Sequence, residues 1–203
     1  MAINPSHPSI PCAILTGGKS SRMQSNKALL PFGEAKSLLA YQYQKMSAIF
    51  PEVFIVCKHN QDFGLKAPYL YEKSEVFSPL VGIAHTLKTL QAPEVFFTSV
   101  DTPFLELKTI KALCNIQGAY DIIYPRSQDR GYYERGHYLI GRWRGHLYKD
   151  LEQAIAQKSY KISAFVTSHK SYFLDCGNGD EFYNLNTPKD YHHALKILKD
   201  SHG

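Results

Sequence analysis

The feature that most constrains the fold of this chain is the alternation of short β-rich runs with helical patterns along most of its length. Residues 10–15, 52–57 and 95–100 have the composition of buried strands, and the apolar residues within 39–50 recur at the spacing of one helix face. Further strands are predicted at 69–71, 121–124, 137–141 and 172–174, and further helices at 83–90, 107–114, 147–156 and 189–198. This alternation predicts an α/β fold with a mostly parallel sheet and helices on both of its faces.

Length and composition are those of a globular protein. The 203 residues predict one domain, 1–203, with a flexible N-terminus at 1–9, and 44% hydrophobic residues suffice for a packed core. No apolar run reaches the about 20 residues that cross a bilayer, and the first residues lack the apolar segment of a secretion signal. We therefore expect a cytoplasmic protein without a membrane partner. The four cysteines lie far apart without a CxxC pair, which predicts free thiols.

The net charge of +5 favours anionic partners. Yet no run of five Lys or Arg residues occurs, and the zinc-finger, RNP-type and basic-zipper patterns are absent. Small phosphorylated substrates explain the charge at least as well as nucleic acid does, and we expect no nucleic-acid partner. A mildly basic, solvated surface is the alternative that needs no ligand.

The segment AILTGGKSSRMQSNKALLPF, at 13–32, places two glycines and several cations directly after the first predicted strand. Gly17 and Gly18 let main-chain N–H groups approach an anion closely. Arg22 supplies a planar fork for phosphate oxygens and Lys27 a compact charge. The Walker pattern fails because an alanine stands at its first glycine, and GxGxxG fails because its third glycine is missing. The segment therefore predicts a triphosphate-binding loop, with an ordinary polar turn as the alternative.

Asp101 follows a continuous apolar strand in EVFFTSVDTPFL, at the end of the strand where ligands gather in a parallel sheet. A carboxylate there can hold Mg²⁺, which takes oxygen ligands and bridges protein to substrate phosphates. Alternatively, Asp101 accepts hydrogen bonds within the turn, or Thr102 and Pro103 begin the next helix as its cap and first residue. Together with a cationic glycine loop behind another strand, the carboxylate favours phosphoryl chemistry with Mg²⁺ as cofactor.

The closing segment FYNLNTPKDY carries two signals. Thr187, Pro188 and Asp190 form a typical helix start. Asn184 and Asn186 alternate along an extended segment, so their amides share one face and are candidates to contact a ligand or metal.

The stretch 126–136 is rich in glycine and charge and predicts an irregular loop over a site. Its Arg126, Arg130 and Arg135 are candidates to grip a large anionic ligand, with a solvated loop as the alternative. The scattered histidines, His137 among them, lack metal-ligand spacing, and most are interpreted as surface or core residues.

These motifs, in this order and at these separations, resemble the molybdenum cofactor guanylyltransferase family. The elements LTGGKSSRM, NKALLPF, SPLVGI, VDTPF and FYNLNTPKDY carry the resemblance, which covers residues 11–198. It implies a Rossmann-like three-layer α/β/α nucleotidyltransferase fold. It also implies transfer of GMP from GTP to molybdopterin with Mg²⁺, release of pyrophosphate, and transient contact with cofactor-synthesis or acceptor molybdoenzyme proteins.

The resemblance further implies a role for each matched residue. Arg22 would lie at the phosphates, Lys27 would neutralise them during transfer, and Asp101 would hold the metal, so these three form the catalytic set. Asn184 and Asn186 would face the pterin and phosphate region. The residues expected to bind nucleotide or pterin are Leu15, Thr16, Gly17, Gly18, Lys58, Glu72, Pro79, Leu80, Gly82, Asn184 and Asn186.

The chain departs from the family pattern at a few positions. Gln24 and Asn26 stand where the family has Gly and Asp, and Thr16 stands where it usually has Ala. Lys58 replaces an Asn after the second strand, and Glu72 most nearly matches the Asp before the family's GPLAG segment. These departures bear on nucleotide choice more than on the reaction class. A related enzyme for another nucleotide or a sugar phosphate, and a non-catalytic cofactor-binding module, are the alternatives.

Overall fold

The described part of the chain is built around one mixed sheet. The structure is a computed structural model that describes residues 8–16, 26–58, 61–129 and 133–200. Its strands are β1 (Cys12–Leu15), β2 (Val53–Lys58), β3 (Tyr69–Glu72), β4 (Glu94–Ser99), β5 (Ile122–Asp129), β6 (Tyr133–Gly136), β7 (Gly141–Arg144) and β8 (Ser171–Asn178). Its helices are α1 (Leu38–Ser47), α2 (Pro79–Leu90), α3 (Leu107–Asn115), α4 (Tyr148–Ala156), α5 (Ile162–Thr167) and α6 (Pro188–Asp200).

The parallel half of the sheet brings four strand ends to one edge. The strand order is β3-β2-β1-β4-β7-β5-β6, and β8 pairs with β5. β1 lies in parallel between β2 and β4, and β3 continues the parallel pairing beyond β2. β7 runs antiparallel to β4 and β5, whereas β8 is parallel to β5. The predicted α/β fold with a mostly parallel sheet is confirmed, and the carboxyl ends of β1 to β4 define the edge where ligands are expected.

Two apolar clusters cover the two faces of the sheet. Alternate residues of β1 point to opposite faces, so Cys12 and Ile14 join the cluster that contains residues of α1, α3 and α6. Ala13 and Leu15 join the cluster that contains residues of α2, α4 and α5. Helices therefore form a layer on each face, as the predicted three-layer arrangement requires.

The sequence predicted an irregular loop at 126–136, but the described residues 126–129 and 133–136 lie in strands. These are the paired strands β5 and β6, in which Arg126 lies opposite Gly136. The Arg126 guanidinium lies 3.7 Å from the centre of the Phe173 ring and 2.6 Å from the Glu134 carboxylate. The Arg126 side chain thus packs against neighbouring strands, so a charge-rich composition does not exclude strand pairing here.

The prediction of a strand at 137–141 is wrong. Residues 137–140 form a turn in which the Ile140 N–H donates to the His137 carbonyl at 2.9 Å, and β7 begins only at Gly141. The β7 side chains that flank the buried Trp143 are arginines, and Arg142 pairs with Glu94 on β4 at 2.9 Å. The charged flanks hid this strand from the apolar pattern, and the short helix α5 was not predicted either. Among the described helices, none combines the length and apolarity that a membrane span requires.

Candidate active site

Lys27 and Asp101 meet at the carboxyl edge of the sheet. Lys27 Nζ lies 2.5 Å from Asp101 Oδ2, although 74 positions separate the residues in sequence. Both side chains are mostly buried, with exposed fractions of 15% and 16%. The structure thus brings together a cation that follows β1 and a carboxylate that follows β4, as predicted, while their catalytic roles stay predictions.

The turn after β4 fixes the Asp101 carboxylate. Ser99 Oγ donates to Asp101 Oδ1 at 2.5 Å, so each carboxylate oxygen has its own donor. The Val100 N–H donates to the Leu15 carbonyl at 3.1 Å, and the Leu185 N–H donates to the Asp101 carbonyl at 3.0 Å. The turn is therefore tied to β1 and to the segment before α6. The alternative in which residues 102–103 begin a helix is wrong, because α3 begins at Leu107.

Lys27 begins a short 3₁₀-helix, Lys27–Leu29, that holds its backbone in place. Asn26 Oδ1 accepts a hydrogen bond from the Ala28 N–H at 3.1 Å, and the Ala28 side chain is fully buried. Asn26, one of the departures from the family pattern, is therefore the cap of this turn. As a neutral amide it caps the turn without adding a second negative charge beside Lys27.

A cavity of about 260 Å³ lies beside Asp101. Asn184 and Asn186 line it together with Asp101, while β6 contributes Arg135 and the turn after β6 contributes His137. The structure thus brings both predicted asparagines to the same cavity as the predicted metal ligand. An anionic acceptor entering here would meet amide donors and a guanidinium close to the carboxylate.

His137 is a cavity residue that the sequence did not single out. Its Nε2 lies 2.8 Å from Ser127 Oγ, and its ring stacks on Phe182 at a centroid distance of 4.0 Å. The backbone N–H of His137 donates to the Pro125 carbonyl at 2.9 Å. These partners reach His137 through strand pairing and tertiary contact, so no spacing in the sequence identifies it.

Lys58 and Glu72 form a second ion pair, at the ends of β2 and β3. Lys58 Nζ lies 2.9 Å from Glu72 Oε1, and it also donates to the carbonyls of Ser74 and, at 2.8 Å, Val76. These acceptors match the three N–H bonds of the ammonium. Lys58 therefore holds the segment that leads into α2, and its assignment to the nucleotide site stays a prediction. Burial raises the pKa of Glu72, and the Lys58 ammonium opposes that rise.

Gly82 in α2 lets the helix approach the end of β1 and the Glu72 side chain. A Cβ at Gly82 would lie 3.2 Å from Leu15 Cδ2 and 3.7 Å from Glu72 Oε2. The first distance is tighter than ordinary van der Waals contact, so a larger residue would push against Leu15. Leu15, Glu72 and Gly82, which the resemblance assigns to the nucleotide, therefore lie together.

The remaining predicted nucleotide residues have clear structural partners. Both Thr16 N–H and Thr16 Oγ1 donate to the Val56 carbonyl, at 3.0 and 2.9 Å, which ties the end of β1 to β2. Pro79 is the first residue of α2, behind the Ser78 cap. Leu80 is fully buried in the core, so any nucleotide contact at this position would come from its backbone. The predicted ligand contacts that lie outside the described residues, and whose roles stay predictions, are those of Gly17, Gly18, Arg22 and Arg130.

The predicted helix start at Thr187 is present as a reciprocal cap of α6. The Asp190 carboxylate accepts from the Thr187 N–H at 2.8 Å and from the Asn186 N–H at 3.1 Å, while the Asp190 N–H donates to Thr187 Oγ1 at 3.2 Å. Tyr183 OH donates to the other carboxylate oxygen at 2.9 Å. This cap therefore fixes the backbone of the segment that carries Asn186 into the cavity.

Replacing Asp190 by alanine is expected to lower the free energy of unfolding by about 1 kcal/mol at pH 7, the usual cost of a lost helix cap. Burial favours a raised pKa at Asp190, but its hydrogen bonds from Thr187, Tyr183 and Asn186 outweigh burial and lower it. A lowered pKa means that this stability is present above the unfolded pKa and is lost as the pH falls through the folded value. Denaturant unfolding at pH 7 and below about pH 4 measures this, with the exposed Asp200→Ala as control. An undiminished difference at acid pH would contradict the role of charge.

Comparisons with known proteins show the family to which the chain belongs. Residues 12–172 match the model of the MobA-like NTP transferase domain. The chain belongs to the MobA-like NTP transferase family. A Helicobacter pylori (strain G27) protein named molybdenum cofactor guanylyltransferase is 40% identical over 203 residues, which cover 97% of each chain. Resemblance to the molybdenum cofactor guanylyltransferase family is confirmed, and the MobA-like chain is a nucleotidyltransferase.

Solved structures support the fold of this MobA-like chain. Molybdopterin-guanine dinucleotide biosynthesis protein A from Archaeoglobus fulgidus superposes with a TM-score of 0.78 at 18% identity, covering 94% of this chain and 100% of that one. The 2-C-methyl-D-erythritol 4-phosphate cytidylyltransferase from Thermus thermophilus superposes with a TM-score of 0.70 at 13% identity, covering 94% of this chain and 99% of that one. The predicted nucleotidyltransferase fold is confirmed.

Proposed function

We propose that this MobA-like chain transfers GMP from GTP to the phosphate of molybdopterin and releases pyrophosphate. The observation that carries the proposal is the Lys27–Asp101 pair, 2.5 Å apart beside a cavity at the carboxyl edge of the sheet. The guanylyltransferase name of its relatives suggests both substrates. Phosphoryl chemistry of this kind needs positioned cations and a metal-holding carboxylate rather than a protein nucleophile.

The residues around Asp101 fit a magnesium ion. Lys27 already places a positive charge against Asp101 Oδ2, which marks that oxygen as a position for a cation. Within the described ranges, no cluster of three or more His, Cys, Asp or Glu side chains is arranged to hold a metal. A single carboxylate suits Mg²⁺, which is usually held by one or two carboxylates together with substrate phosphates and water. Asp101 would hold it jointly with the triphosphate, and the ion would supply charge stabilisation at the phosphates.

In the proposed transfer step, Lys27 stabilises the negative charge that develops on the leaving group, and the residues of the cavity orient the acceptor. An oxygen of the acceptor phosphate attacks the α-phosphorus of GTP in line, and the bond from that phosphorus to the bridging oxygen of pyrophosphate breaks. Lys27, exchanged from Asp101 to the triphosphate, neutralises the charge that develops on the leaving pyrophosphate. Asn184, Asn186 and Arg135 orient the acceptor from the cavity beside Asp101.

Glu72 is the residue we assign to recognition of the base. Its Oε1 pairs with Lys58, while its buried Oε2 has no hydrogen-bond partner among the described residues. An unpaired buried acceptor is costly, so this oxygen suits a donor that arrives with the ligand. Guanine carries N1–H and N2–H₂ as adjacent donors on its Watson–Crick edge, the edge by which enzymes commonly read a base.

The cytoplasm is the compartment we propose for this reaction. All four cysteines are free thiols, as predicted from their spacing, and persistent free thiols are typical of reducing compartments. Transient contact with acceptor molybdoenzymes stays a prediction.

Pyrophosphate release tests the proposed function. Release is measured with GTP, CTP or ATP in the presence of Mg²⁺ and molybdopterin, and we expect it with GTP. Release with CTP or ATP instead would reassign the nucleotide, and release only with a sugar phosphate would reassign the acceptor. Heat protection by GTP without release under any condition would indicate a non-catalytic binding module.

Glu72→Gln is expected to reduce the preference for GTP over CTP about tenfold, the scale of one lost discriminating hydrogen bond. The variant keeps the shape of the side chain but replaces an acceptor-only carboxylate by an amide. Glu152→Gln, in an exposed ion pair with Lys88, is the matched control and should leave the preference unchanged. An unchanged preference in Glu72→Gln would remove Glu72 from the base site.

A further inference from the structure

Gln42 is a fully buried polar residue in the middle of α1, with an exposed fraction of 0%. Its Nε2 donates to the Ser99 carbonyl at 2.9 Å and to the Thr102 carbonyl at 3.1 Å. These two carbonyls bracket Asp101 in the turn after β4. One amide group on a helix therefore holds both ends of the turn that carries the proposed metal ligand.

The chemistry of Gln42 argues against a role in packing alone. Its Oε1 is buried and has no hydrogen-bond partner in the part of the chain that the structure describes. A buried polar atom without a partner is unfavourable, and an apolar side chain of the same length would avoid that cost. What the apolar side chain would lose is the pair of N–H donors aimed at the turn.

The turn transmits this restraint to the carboxylate. The Ser99 residue whose carbonyl accepts from Gln42 also donates from its Oγ to Asp101 Oδ1 at 2.5 Å. Thr102 closes the turn, since its Oγ1 donates to the Ser99 carbonyl at 3.1 Å. Asp101 thus lies on a short loop with both flanks fixed to a rigid helix, and its side chain is held from the same loop.

We infer that Gln42 is a positioning residue that sets the geometry of Asp101 for the metal–nucleotide complex. The inference rests on the proposed function, because it requires that Asp101 hold a divalent cation with the triphosphate. Mutation of a residue that orients a metal ligand from behind typically lowers metal affinity or activity about 10- to 100-fold. Replacing Gln42 by a residue without its amide donors should therefore weaken metal binding without removing any group that touches the substrate.

The test is Gln42→Met, which keeps the length of the side chain and removes both donors. We expect it to raise the Mn²⁺ concentration at half-saturation about tenfold, measured by electron paramagnetic resonance with GTP present. The Mg²⁺ concentration for half-maximal pyrophosphate release should rise in parallel, while the KM for GTP at saturating Mg²⁺ stays near that of the wild type. Gln42→Asn, whose amide is one methylene shorter, should give a similar rise and serves if the methionine variant does not fold.

Met46→Ala is the matched control, because Met46 is also fully buried on α1 but is an apolar core residue. It should lower the melting temperature without moving the Mn²⁺ half-saturation. A folded Gln42 variant with wild-type metal affinity would overturn the inference, as would an equal shift in Met46→Ala. If the wild type binds no Mn²⁺ in the presence of GTP, the proposed function itself fails. If the wild type binds Mn²⁺ and the Gln42 variant binds it equally well, only the role of Gln42 fails.

Discussion

Replacing Lys27 by alanine is expected to reduce GMP transfer about 10²- to 10³-fold, the scale of removing one preorganised electrostatic stabiliser. Lys27 Nζ lies 2.5 Å from Asp101 with an exposed fraction of only 15%, so solvent cannot substitute fully for its charge. Pyrophosphate release at saturating GTP and Mg²⁺ measures the loss. Because the proposed role is stabilisation of the departing pyrophosphate, kcat should fall more than the KM for GTP rises.

The same substitution has an opposite effect on metal binding without nucleotide. Lys27 occupies Asp101 Oδ2, and its removal leaves that oxygen to a competing cation. Lys27→Ala should therefore bind Mn²⁺ more tightly than the wild type when no nucleotide is present. Lys36→Ala, a substitution at an exposed lysine on the same connection between β1 and α1, should change neither quantity. Wild-type turnover in Lys27→Ala would refute the catalytic assignment.

Replacing Asp101 by asparagine is expected to reduce transfer by at least about 10²-fold, since the amide keeps the shape but not the charge that holds a cation. The Mg²⁺ dependence of the residual activity should shift to higher concentration. Pyrophosphate release across a Mg²⁺ titration measures both effects. An unchanged Mg²⁺ dependence would remove Asp101 from the metal site.

Asp101→Asn is also expected to cost stability. It leaves the Lys27 ammonium mostly buried without its counter-charge, although the Leu185 carbonyl at 3.5 Å remains close. Because the pair keeps partial contact with solvent, we expect a loss of about 1–2 kcal/mol rather than the about 3–5 kcal/mol of a fully buried pair. The double variant Lys27→Ala with Asp101→Asn should recover part of that stability but no activity. Denaturant unfolding of the single and double variants measures the coupling.

Much of the fold and part of the site follow from local sequence patterns. The cationic segment after the first apolar run identified Lys27, and the position just after another apolar run identified Asp101, because parallel strands end at one edge of the sheet. The distance between Asn184 and Asn186 predicted a shared face, and both line the cavity beside Asp101. These predictions needed only the periodicity of side chains along strands and helices, together with the direction in which the strands run.

The parts that sequence reasoning missed depend on contacts between distant segments. Gln42 fits the helical pattern of α1, but nothing local shows that its amide meets carbonyls 57 and 60 positions away. His137 was interpreted with the other histidines, although Ser127 and Phe182 place it at the cavity. A single sequence gives the period of each element and does not give the partners of its polar side chains.

The hairpin of β5 and β6 was missed for a different reason. Its Arg126 pairs with Glu134 on β6 and with Asp175 on β8, so carboxylates of the neighbouring strands neutralise the guanidinium. Apolar alternation detects strands with one buried face and does not detect strands stabilised in this way.

The backbone hydrogen bond between Leu185 and Asp101 couples the segment before α6 to the turn that carries the proposed metal ligand. The match to the shared transferase domain ends at residue 172, whereas the segment that touches the Asp101 backbone and lines the cavity lies beyond it. Under the proposed function, this segment therefore reaches both the cavity that would receive the acceptor and the turn that would hold the metal, so a substitution there would alter acceptor binding and the position of Asp101 together.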